Sequence, residues 1–60
     1  MYLRKNYTQY DLAAAVEKRA SFWRYPTDSV CTVTLRVGDK AHEFKRTFEP
    51  DGRPIYRRVG

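Results

Sequence analysis

Val30-Cys31-Thr32-Val33-Thr34-Leu35-Arg36-Val37 alternates apolar and polar residues, and that period constrains the chain more than any other feature. Residues two apart share a face of a strand. Cys31, Val33, Leu35 and Val37 therefore line one side, and Val30, Thr32, Thr34 and Arg36 the other. A strand of this kind needs neighbours beside it and a layer packed on its apolar face. Gly38-Asp39 interrupts the run and a second β-like segment, Ala41 to Phe48, follows at once. Pro50-Asp51-Gly52 makes another turn, after which Pro54 to Val59 can return as a third strand. The expectation is an antiparallel β-meander with strands at about 29–37, 41–49 and 54–59.

A two-residue Gly38-Asp39 turn of type II′ sets Val33 opposite Phe44 and Leu35 opposite His42. A four-residue loop would pair Leu35 with Phe44 instead. Either register keeps His42, Phe44, Arg46 and Phe48 on the core side, with Ala41, Glu43, Lys45 and Thr47 outside. An inward Arg46 is expected close to the sheet edge, its stem packed and its head in water. Glu49-Pro50-Asp51-Gly52 suits a type I turn. A three-residue loop ending in a glycine bulge carries Tyr56 and Arg58 to the core face and Ile55, Arg57 and Val59 outward. One residue of slip reverses this, and both facings stay open.

Thr8-Gln9-Tyr10-Asp11 is a helix start, with Thr8 as N-cap and Asp11 in the place of the reciprocal capping residue. A helix over about 8–24 gathers Leu12, Val16, Ala20 and Trp23 on one stripe and turns Glu17 and Lys18 to solvent. Pro26 biases Tyr25 away from helical geometry and ends it. Trp23 is expected in the core, with Phe22 or Tyr25 nearer the surface. Residues 1–7 are expected as a partly ordered lead-in, with a short edge strand or flap from Tyr2, Leu3 and Tyr7 as the other option. The fold class is therefore α+β: one N-terminal amphipathic helix packed on a three-stranded antiparallel meander, in a single domain over 1–60. In topology alone, this α-β-β-β order resembles part of a double-stranded-RNA-binding domain; no motif matches and the second helix is missing.

Sixty residues bury only about 60% of their unfolded surface, so a chain this short usually needs a staple. Cys31 is the only cysteine and His42 the only histidine, which leaves neither a disulfide nor a four-ligand zinc site. The nine Phe, Tyr and Trp residues must supply the core, or a second copy must help. No apolar leader follows Met1 and no stretch is long enough to span a bilayer. With one free thiol, the expected location is the cytoplasm.

Enzymatic chemistry finds no footing. Cys31 falls on the core face, His42 has no carboxylate placed to orient it, and the glycines are isolated. Asp28, Asp39, Glu43, Glu49 and Asp51 are scattered without metal-binding spacing. The expectation is a binding module with no cofactor, metal or small-molecule substrate. A net charge of +5 and a pI of about 9.7 favour acidic partners. The leading candidate is nucleic acid, held by Arg36, Lys40, Lys45, Arg53, Arg57 and Arg58, with Tyr56 stacking on a base or sugar. The alternative is a protein-interaction module, a homodimer or a small inhibitor or adaptor of a larger protein. It would use Phe22, Trp23, Tyr25, Val30 and Ile55. Membrane binding is disfavoured, because the polar helix face mixes acids with bases. A small bacterial or phage accessory protein fits these properties.

Overall fold

Thr8 caps the helix as its side chain predicts. In the computed structural model, which describes residues 2–60, the Asp11 amide donates to Thr8 Oγ1 at 3.1 Å. The Thr8 amide donates back to Asp11 Oδ2 at 3.0 Å, completing a capping box with Asp in the usual Glu position. The chain runs through β1 (Tyr2–Leu3), α1 (Gln9–Phe22), β2 (Cys31–Val37), β3 (Lys40–Phe48) and β4 (Pro54–Arg58). The α+β class holds. The sheet has four strands in the order β1-β2-β3-β4 and is mixed. The expectation of three antiparallel strands is corrected by β1, the edge strand held as the second option for residues 1–7, which pairs parallel to β2 with Leu3 beside Val37. Two residues are too few for periodicity to register, yet Leu3 is buried in the core.

Both hairpins follow their turn chemistry. Val37 pairs with Lys40 across Gly38-Asp39, so Val33 faces Phe44 and Leu35 faces His42. Gly38 has φ +64° and Asp39 does not turn positive, as a II′ turn requires. At the other end the Gly52 amide donates to Glu49 O at 2.8 Å, and Gly52 has φ +93°. This is the three-residue loop with a glycine bulge. It fixes the facing that the sequence left open: Arg46 lies opposite Tyr56 and Lys45 opposite Arg57.

Leu12, Ala15, Val16 and Ala20 of α1 pack on Leu3, Cys31, Val33, Leu35 and Phe44. Phe44 is wholly buried and meets Tyr7 edge-on at 6.4 Å. Its truncation to Ala would cost about 3–5 kcal/mol. Trp23 is not in this core: 57% of its surface is exposed. It is the C-cap, already off helical geometry at ψ 5°, so the helical stripe cannot be extrapolated through it. The Tyr25 amide donates to Ala20 O and the Arg24 amide to Ser21 O, each at 2.9 Å, which forms a Schellman motif. Arg24 occupies the left-handed position, φ 61°, that glycine usually fills.

Arg46 overturns a second expectation. β3 lies between β2 and β4, not at an edge, and Arg46 is only 1% exposed. Its head has no need of water because the Pro26–Ser29 loop folds back beneath it. Nη2 donates to Pro26 O at 2.7 Å and to Ser29 O at 2.8 Å, and Nε donates to Ser29 O at 3.1 Å. Nη1 donates to Glu17 Oε1 at 2.8 Å. Glu17, expected in solvent, thus turns toward the sheet. A buried guanidinium is tolerated only when paired and hydrogen-bonded, and Arg46 is both.

Candidate nucleic-acid interface

α1 covers one face of the sheet and leaves the other bare. The register sorts that bare face into rows across the strands. Tyr2 lies beside Arg36, which lies opposite Ala41. Thr34 lies opposite Glu43, and the Val59 amide donates to Glu43 O at 2.9 Å, extending this row past β4. Thr32, Lys45 and Arg57 form the next row, and Thr47 with Ile55 the last. Four residues of strand separate the Arg36 and Lys45 rows, about 13 Å.

Lys45 and Arg57 stand directly opposite one another on adjacent strands, both exposed. Like charges in this relation destabilise a sheet. No acid relieves them: the ion pairs among the described residues are Arg46–Glu17 and Arg53–Asp51. Glu43 is the one acid on the bare face among the described residues, and it forms no ion pair. Arg36, Lys45 and Arg57 therefore point three cations without ion pairs away from the core, interspersed with Thr32 and Thr34 and with Glu43 in the row between Arg36 and Lys45.

Of the seven residues expected to meet nucleic acid, three share this face. Tyr56 does not. It lies on the helix side, where its hydroxyl donates to Glu17 Oε2 at 2.7 Å. Burial, then the bond to Glu17 and its negative charge, push the Tyr56 phenol up to about 12. A ring held there faces away from the bare sheet face and stands apart from Arg36, Lys45 and Arg57. Arg58 has the same facing, opposite Phe44, although its side chain is exposed at the outer strand. Lys40 closes the β2–β3 hairpin opposite Val37. Arg53 lies at the opposite end of β3, its Nε 2.9 Å from Asp51 Oδ2.

The structure adds Tyr2, 63% exposed and beside Arg36, which the sequence offers as part of a short edge strand but not as a site residue. Its signal was the pairing partner, not the residue itself. The alternative set also divides. Phe22, Trp23 and Tyr25 are exposed at the helix end, whereas Ile55 is half-buried on the bare sheet face and Val30 is exposed just before β2. On the helix side, an open groove of about 670 Å³ runs between β1 and α1 over Ala14 and Ala15. No helix is long and apolar enough to cross a membrane, and no cluster of three metal-ligating side chains occurs among the described residues.

No known family model, curated protein or solved structure matches this chain.

Proposed function

We propose that this chain is a non-enzymatic nucleic-acid-binding module that grips the phosphate backbone with the bare face of its sheet. The observation that carries this reading is the Lys45–Arg57 pair, two cations set opposite each other with no carboxylate between them. An anion bound across them turns a repulsion into two charge-assisted contacts. Arg36 offers a third cation, and the Thr32 and Thr34 hydroxyls can donate to phosphate oxygens. Tyr2 is the only aromatic side chain on that face among the described strand residues, so base stacking is limited and the binding is largely independent of sequence. Lys40, Arg53 and Arg58 contribute to the long-range field that steers the encounter. The setting we propose is the cytoplasm, in keeping with the free, buried Cys31 thiol.

The test is a ¹⁵N-labelled titration with a mixed-sequence duplex and with its separated strands at low salt. Amide shifts are expected along Thr32–Arg36, Glu43–Thr47 and around Arg57. Shifts confined to α1, or none at all, would overturn the reading.

A further inference from the structure

On the helix side, away from the bare sheet face, the end of α1 carries a second surface. Phe22 is 68% exposed and Trp23 57%, and Tyr25 follows two residues later. These rings are not loose. Phe22 and Trp23 meet edge to face at 5.3 Å, and the Arg19 guanidinium carbon lies 5.5 Å from one centroid and 5.7 Å from the other. The Schellman motif holds the backbone beneath them. A preorganised group of Phe, Trp and Arg loses little freedom on docking, which is the character of an interface anchor.

Arg24 is an independent sign. It sits at φ 61°, where an L residue is strained and glycine is not, and it makes no side-chain hydrogen bond or ion pair among the described residues. The Arg24 side chain, exposed and next in the chain to Trp23, is therefore free to bind a group outside the chain. Lys18 and Arg19 are likewise free of ion pairs, and Arg19 Nε is buried with no acceptor. The nearby acid Glu17 is occupied by Arg46 and Tyr56.

We propose that Phe22, Trp23 and Arg24 form a docking knob for a protein partner bearing an apolar pocket rimmed by carboxylates. The charge is complementary: Arg19 lies over both rings, exposed Arg24 follows Trp23 in the chain, neither forms an ion pair, and a carboxylate can accept from Arg24 while the rings enter the pocket. A lipid bilayer is a poorer occupant, because Arg19 lies over the rings and would have to enter the hydrocarbon with them. Single-stranded nucleic acid is poorer too, since rings at 90° make no flat stacking platform.

Trp23 is the only tryptophan, so its emission reports this surface alone. The experiment selects phage-displayed random peptides on the whole protein, then titrates the winners as synthetic peptides. Enriched peptides are expected to combine Asp or Glu with large apolar residues and to shift Trp23 emission to the blue. Phe22→Ala should weaken them by about tenfold or more. Arg24→Gly should also weaken them while leaving the fold at least as stable, which separates lost binding from lost structure. The proposal is overturned if selection yields no peptide sensitive to Phe22→Ala. It is equally overturned if the blue shift comes instead from phosphatidylserine vesicles or a thymidine homopolymer.

Discussion

Arg46 Nη1 and Glu17 Oε1 meet at 2.8 Å, joining an interior strand to the helix above it inside a protein of 60 residues. The pair is asymmetric: Arg46 is 1% exposed, while the Glu17 side chain keeps 40% of its surface in water. Removing the buried partner is therefore the heavier loss. Arg46→Ala should cost about 3–5 kcal/mol, because it empties a fully buried site and leaves Glu17 Oε1 and the Ser29 carbonyl without their donor. For a chain this small, that is enough to unfold it. Glu17→Gln leaves three of the guanidinium's contacts in place and should cost only about 1–2 kcal/mol. Urea denaturation of both variants checks the order.

Tyr56 makes the same cluster sensitive to alkali. Its phenol is pushed up to about 12 from the ordinary 10.0, first by burial, then by its hydrogen bond to Glu17. The folded chain thus holds this proton more tightly than the unfolded chain does. The resulting stability is present in full below pH 10 and lost as pH rises through about 12. The difference in phenolate absorbance between wild type and Tyr56→Phe should show a midpoint near 12. Between pH 10 and 12 the wild type should lose stability from this group that the variant does not.

Arg24→Gly should stabilise the fold. Gly accepts φ 61° without the clash between Cβ and the carbonyl, a relief of about 1 kcal/mol before its greater unfolded-state freedom offsets part of it. Thermal unfolding of the two proteins gives the sign, and a lower midpoint for the glycine variant would contradict the geometry.

The parts legible in sequence were those set by local chemistry. Thr8 and Asp11 fix the helix start, Gly38 and Gly52 fix the two turns, and the alternation from Cys31 to Val37 fixes a core face. The parts that were not legible depend on contacts far apart in the chain. Leu3 becomes a strand only because Val37 is there to pair with it. Arg46 looked like an edge residue because its acceptors lie 17, 20 and 29 residues away. Tyr56 looked available to a nucleic acid until the glycine bulge turned it toward Glu17. Arg57, one residue on, was turned outward by the same bulge. The choice of Arg57 over Arg58 to stand with Arg36 and Lys45 on the bare face was thus decided by a turn, not by composition.

The salt dependence of binding to a mixed-sequence duplex tests the central reading most directly. Three phosphate contacts predict a slope of log K against log salt of about −2.7 between about 50 and 200 mM. The double variant Lys45→Ala/Arg57→Ala should remain folded, bind more weakly, and show a slope shallower by about 2. Absence of binding at the lower salt, or a slope that the double variant leaves unchanged, would contradict the assignment of phosphate contacts to the bare sheet face.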